Sequence, residues 1–261
     1  MKKIMFFLAL FFCNYLFAQK DNLILQLKKF IPEGYKIKDT AFGDLNDDSK
    51  MDVVMILVSE KEEDASYVDT SFNLQRPLMI LTQQADGKLM LAKRNDNMVL
   101  CKQCGGVFGD PYAGLIIAGG SFEISFYGGS TWRWNDVYDF ECNNLKKTWV
   151  LDREEHSTFH STEADLPAEE IFIPTSEIDN ITIDDFDVNG LNTSESGKVI
   201  ADKSYFYNSP DLSTKRKAYV RKGDIINITR VFKTFYQATF TNNKNQITKG
   251  FLLKKTVQLI K

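Results

Sequence analysis

Val53–Val58 is an unbroken apolar run, with Asp52 in front of it and Ser59-Glu60 behind. A run of this length between polar residues reads as a strand buried on both faces. Tyr35–Phe42 alternates loosely ahead of it, which predicts a strand–loop–strand unit around the polar segment between the two. Further upstream, Leu23, Ile24, Leu27, Phe30 and Ile31 recur at helical spacing. Asp21 can cap this segment and Pro32 ends it, so one amphipathic helix is expected over Asp21–Ile31. The acidic stretch Glu60–Asp69 has no apolar period and is expected to be a solvated loop. Leu78–Thr82 and Lys88–Lys93 flank Ala85-Asp86-Gly87 as a hairpin. Leu115–Ala118, Phe122–Tyr127 and Trp132–Phe140 follow as strands, with Trp149–Leu151 pairing back. Gly105-Gly106, Gly119-Gly120 and Gly128-Gly129 punctuate them. Short strands with glycine turns at this spacing predict an antiparallel β-meander over residues 19–153.

The pattern weakens from residue 154 to residue 196, where only Ile171–Ile173 and Ile181–Ile183 are apolar, and the stretch is expected to be a linker. It recovers in residues 197–261, at Ala201–Tyr207, Lys217–Val220, Ile225–Val231, Tyr236–Phe240, Lys249–Leu253 and Val257–Ile260. So many short strands in so little chain predict a small barrel. The expected class is therefore mainly β: a meander domain with one N-terminal helix, then a small C-terminal barrel. The first 18 residues stand apart. Lys2 and Lys3 precede the short apolar core Ile4–Phe12, and Leu16-Phe17-Ala18 ends on a small residue. That is the layout of a cleaved signal peptide, and it predicts a periplasmic or secreted protein. Phe12 is too bulky to precede a lipidated Cys13. No other segment is apolar enough to span a bilayer.

Charge sharpens the division. The full chain carries −3, but residues 194–261 hold 14 Lys and Arg against 4 Asp and Glu, a net of +10. The rest of the chain after residue 18 holds 16 basic and 31 acidic residues, a net of −15. Lys215, Arg216, Lys217, Arg221 and Lys222 cluster around one turn of the basic part. They are the expected contacts for an anionic cell-wall polymer or envelope protein. Outside the cytoplasm, nucleic acid is not an expected partner.

Four sets of residues could carry chemistry. Asp44, Asn46 and Asp48 sit at alternate positions and Asp52 follows. With the carbonyl of Lys50 they make an oxygen ladder that suits a hard cation, Ca²⁺ before Mg²⁺ because the loop is flexible. The plain alternative is an acidic surface turn. Asp185, Asp187, Asn189 and Gly190 open like a second calcium loop, but the twelfth position is Ser196 rather than Glu, so a turn is expected. Cys101 and Cys104 are spaced for a small disulfide in an oxidising compartment, leaving Cys142 outside it. With His156 and His160 they also have zinc-like spacing, which frames the competing reading of an envelope hydrolase or a redox or zinc protein. No nucleophile elbow, phosphate loop or metalloprotease motif supports an enzyme. Finally, Trp132, Trp134, Tyr138 and Phe140 share one strand face, expected to be core except for Trp132 beside the glycine turn.

Two resemblances follow from these residues. Phe42-Gly43 and the Asp44–Asp52 ladder resemble the calcium loop of FG-GAP (integrin propeller-type) repeats, and this likeness implies a structural Ca²⁺. Ser49 stands where that family usually has glycine, and the single copy does not imply a propeller. The wider stretch Tyr35–Leu151 resembles blocks of uncharacterised exported bacterial proteins. Tyr207-Asn208-Ser209-Pro210, Lys222-Gly223-Asp224 and Lys249-Gly250-Phe251-Leu252 resemble the bacterial Src-homology-3-like barrel. That likeness implies wall-peptide binding or packing on a neighbouring domain. Together they point to an exported binding or scaffolding protein rather than an enzyme.

Overall fold

A computed structural model describes residues 22–63, 74–163, 166, 168–178, 180–189 and 193–260. The expected signal peptide, the capping Asp21, Gly190 and the acidic stretch beyond Glu63 lie outside the described residues. The chain is mainly β, with antiparallel sheets and one N-terminal helix. By its contacts it divides into two compact units. One holds the described residues up to Val99 together with Leu115–Phe122; the other holds Leu100–Gly114 and everything from Glu123 onward.

In the first unit, helix α1 covers residues 22–27 and tightens into a 3-10 turn at Lys28–Phe30. Strands β1 (Tyr35–Gly43), β2 (Asp52–Ser59), β3 (Leu78–Gln83) and β4 (Leu89–Asn95) form a sheet in chain order. Every residue of β2 is buried, as its unbroken apolar run requires. Leu23 and Leu27 of α1 pack on Val53, Met55, Leu57 and Leu81, one face of that sheet. The β1–β2 register runs from Tyr35 opposite Ser59 to Gly43 opposite Asp52, so the two strands close directly on the Asp44–Met51 loop.

The second sheet is a meander of β5 (Tyr112–Ala118), β6 (Ser121–Gly129), β7 (Trp132–Asn143), β8 (Thr148–His160) and β9 (Glu169–Ile173). β7 and β8 pair along their whole length, from Trp132 opposite His160 to Asn143 opposite Thr148. The stretch 154–196, expected as a linker, therefore supplies the second half of β8 and all of β9. Residues 181–183 add a short pairing: Leu151 N–H donates to Ile181 O and Ile183 N–H to Trp149 O, each at 2.8 Å. Phe186, in the Asp185–Asn189 segment expected to be a turn, is buried edge-on against Tyr138 and Phe140. This segment is a packed turn.

The tail is a seven-stranded antiparallel sheet of β10 (Glu195–Val199), β11 (Lys203–Tyr207), β12 (Lys215–Arg221), β13 (Ile225–Val231), β14 (Phe235–Thr241), β15 (Ile247–Leu253) and β16 (Val257–Ile260). Its order is β12-β11-β15-β14-β13-β10-β16. In a flat sheet the end strands β12 and β16 would lie about 29 Å apart, at roughly 4.8 Å per strand. Val220 of β12 and Val257 of β16 belong instead to one core cluster, to which every strand of this sheet contributes. The sheet is strongly curled around that core.

Candidate functional site

The Asp44–Asp52 loop is held by its own side chains. Asp44 Oδ1 accepts the N–H groups of Asn46 and Asp48 at 3.2 Å, and its Oδ2 accepts that of Ser49 at 2.7 Å. Asn46 Oδ1 accepts Asp48 N–H at 3.1 Å, and Asp48 Oδ1 accepts Lys50 N–H at 3.0 Å. The chain can turn this tightly because Asp47 and Ser49 take left-handed φ values of 59° and 63°. Ser49 thus adopts the conformation for which glycine is usual. Behind the loop, Gly43 has no side chain because Ile117 Cγ2 would lie 2.5 Å from a Cβ there.

Asp52 is fully buried at the foot of β2. Its Oδ2 accepts Leu45 N–H at 3.1 Å and its Oδ1 accepts Gln83 N–H at 2.8 Å, tying the loop to β3. Burial pushes its carboxyl up to about 6; the two N–H donors oppose this, while the charges of Asp48 and Asp44 add to it. One carboxylate oxygen each from Asp44, Asp48 and Asp52 lies within 4.8 Å of the others. Like charges this close, one of them buried, favour a cation between them. Lys50 supplies a partial one: its Nζ lies 2.6 Å from Asp48 Oδ2. Burial would raise the Asp48 carboxyl, but the Lys50 contacts outweigh it and hold Asp48 below its ordinary value.

The cysteines and histidines are not brought together as a metal centre. The Cys101 and Cys104 sulfurs lie at disulfide distance, 2.23 Å, and Cys142 contacts Asn144. His156 and His160 both stand on β8, where four residues of strand span roughly 13 Å, so they cannot close on one ion as they would on a helix. Among the described residues, Asp44, Asp48 and Asp52 form the one group of three or more such side chains close enough to share an ion.

His156 belongs to a charge cluster that hydrophobic patterning did not reveal. One ring nitrogen is 2.7 Å from Asp136 Oδ1 and the other contacts Glu154 Oε1. Glu154 is fully buried and also accepts both terminal nitrogens of Arg230, from β13. Burial alone would raise Glu154, yet His156 and Arg230 bring it down to about 2. Burial likewise disfavours the charged imidazole, but Asp136 and Glu154 raise His156 to about 9. Tyr138 lies edge-on to the His156 ring. The evident effect of this set is to join β8 to β13.

The basic residues of β12 form a face together with β11. Ala218 and Val220 point to the core, so Lys217, Tyr219 and Arg221 alternate outward. Tyr219 stands opposite Tyr205, ring centroids 5.6 Å apart. Lys215 Nζ lies 3.9 Å from the Tyr205 ring centre and Lys203 Nζ 4.7 Å from that of Tyr219. Arg221 donates to the Tyr219 hydroxyl at 3.3 Å and, with Lys203, holds that phenol below its ordinary value. Arg216 leaves the face, donating to Lys249 O at 2.5 Å. Lys222 is exposed in the following turn, where Asp224 accepts Arg221 N–H at 2.7 Å. Lys203, Tyr205 and Tyr219 were not singled out from sequence; the alternation around Ala218 and Val220 is the signal that could have found Tyr219.

Comparison with known proteins finds no matching family model, curated protein or solved structure. No helix among the described residues is long and apolar enough to cross a membrane.

Proposed function

We infer that this chain is an exported, non-enzymatic binding or scaffolding protein of the cell envelope, with a structural Ca²⁺ loop and an anionic partner. The observation that carries the reading is the outward face of β11 and β12, where Lys203, Lys215, Lys217 and Arg221 surround the Tyr205–Tyr219 pair. Cations held on aromatic rings give a fixed positive surface that attracts phosphates or carboxylates over long range. The fold-holding role falls to Asp44, Asn46, Asp48, Asp52 and the carbonyl of Lys50. Their oxygens are the hard donors that Ca²⁺ takes, and the buried Asp52 gains most from the neutralisation. Export is supported by the N-terminal sequence and by a Cys101–Cys104 pair at disulfide distance.

The test is retention of the full chain on a matrix bearing a phosphodiester polymer, at low salt, against a neutral polysaccharide matrix. Retention on the first alone, lost in a Lys215→Gln, Lys217→Gln, Arg221→Gln variant that melts like the wild type, is the expected result. Equal passage through both matrices would remove the anionic partner from this reading.

A further inference from the structure

A second set of residues in the same unit, distinct from the β11–β12 side chains discussed above, is built as a ligand groove. It encloses about 740 Å³, within the range that small-molecule sites occupy. Four turns converge on it: the one after β9, the β11–β12 and β13–β14 connections, and the 3-10 turn Lys254–Thr256 between β15 and β16. Its apolar surface comes from Pro174, Pro210, Leu212, Phe235 and Leu253. Phe235 is 2% exposed and Leu212 is 65% exposed, so the groove has a fixed floor and an open apolar lip.

Hydrogen bonds set the walls in advance. Lys233 N–H donates to Glu177 O at 3.0 Å, and Lys254 N–H donates to Thr234 O at 2.9 Å. The buried Glu177 carboxylate accepts both Thr234 N–H, at 2.7 Å, and the Thr234 hydroxyl. Asp211 accepts Ser213 N–H at 2.7 Å. The two acids lining the groove are thus engaged with N–H and O–H donors. Among the described residues the three ammonium groups have no carboxylate partner: Lys254 Nζ lies 5.4 Å from the Tyr236 ring centre, and the Lys233 and Lys255 side chains make no hydrogen bond or ion pair. An apolar floor with positive charge that no carboxylate neutralises complements one kind of ligand, an apolar body that ends in an anion.

We propose that this groove binds a small amphiphilic carboxylate, its apolar body on Leu212, Phe235 and Leu253 and its carboxylate among Lys233, Lys254 and Lys255. The site is independent of the polymer-binding face, and the test separates the two. Decanoate, below its micelle-forming concentration, is titrated into the full chain and followed by calorimetry and by backbone amide shifts. Saturable binding is expected, with shifts centred on the four converging turns. Changing all three lysines to glutamine, or Leu212 to aspartate, should weaken it about tenfold or more, since a charge-assisted contact or the apolar lip is lost. Both changes lie at exposed or rim positions, and unchanged melting temperatures establish that the fold is intact. Lys215→Gln with Lys217→Gln should leave decanoate binding unchanged. The proposal is overturned if decanoate does not saturate, if decanol binds as tightly as decanoate, or if the groove variants bind as the wild type does.

Discussion

The chemistry of this chain is concentrated in a few carboxylates whose surroundings differ sharply. Asp52 is buried with like charges nearby and N–H donors to offset them, and this is the ground for the proposed cation at the loop. A ligand that binds only the folded state stabilises it by about 2.7 kcal/mol at a hundred times its dissociation constant. The wild type should therefore melt higher as Ca²⁺ is added, and Asp44→Ala or Asp48→Ala should abolish that rise; calorimetry with no Ca²⁺ response in the wild type would refute the site. Glu154 is the opposite case, a buried carboxylate with full partners. Glu154→Gln strands Arg230, so a loss of about 3–5 kcal/mol is expected in denaturant unfolding.

The same cluster predicts a pH profile. His156 in the fold has a value of about 9, above its ordinary 6.5, so its stabilisation is complete below 6.5 and disappears as pH rises through 9. Glu154 is depressed to about 2 from 4.5, so its share is complete above 4.5 and disappears as pH falls through 2. Stability should be flat between about 4.5 and 6.5 as far as this cluster is concerned, and His156→Gln should remove the decline on the alkaline side. Melting curves in which the variant and the wild type decline in parallel from pH 6.5 to 9 would contradict it.

At the scale of elements, the apolar patterns were legible and the polar ones were not. Val53–Val58 reads as a buried strand and is one: every residue in it is buried, and Val53, Met55 and Leu57 pack in the core beneath α1. The β7 row was readable in part: Tyr138 and Phe140 are core and Trp132 at the glycine turn is 52% exposed, but Trp134, expected in the core, is only half-buried. β8 was cut short at Leu151 because its continuation buries charge, not carbon. Glu154 faces Arg230 and His156 faces Asp136, so the strand has no apolar alternation to read. Register and bulges, which bring Lys203 and Tyr205 beside the β12 cations, depend on pairings between distant segments. The disulfide loop was legible from spacing taken together with the expected export, since spacing alone also allowed a zinc site. Mass spectrometry without reduction should find Cys101 joined to Cys104. Closing a loop of four residues stabilises by about 2 kcal/mol in the chain-entropy account, so Cys101→Ser with Cys104→Ser should destabilise by that order. A bond from Cys142 to either partner would contradict this assignment.

For the whole molecule the governing quantity is the opposition between a tail of +10 and a remainder of −15. One tie between them is the Glu154–Arg230 pair, which is buried and therefore insensitive to salt. The β11–β12 face is exposed, so on the proposed reading salt should screen its attraction for a polyanion. The screening length is about 10 Å at 0.1 M salt and about 3 Å at 1 M. Retention on the phosphodiester matrix should therefore fall steeply through this range, while the melting temperature, held by buried pairs and the apolar cores, stays nearly constant. Each cation that contacts a phosphate steepens the fall. A variant with Lys215, Lys217 and Arg221 neutralised should show both weaker retention and a shallower salt dependence. Arg216→Gln should leave the slope unchanged, because that guanidinium is turned to the Lys249 carbonyl. If Arg216→Gln flattens the slope as much as the triple change, net charge alone drives binding and the geometry of this face does not. If retention ignores salt altogether, the contact is apolar and this surface is not the one that makes it.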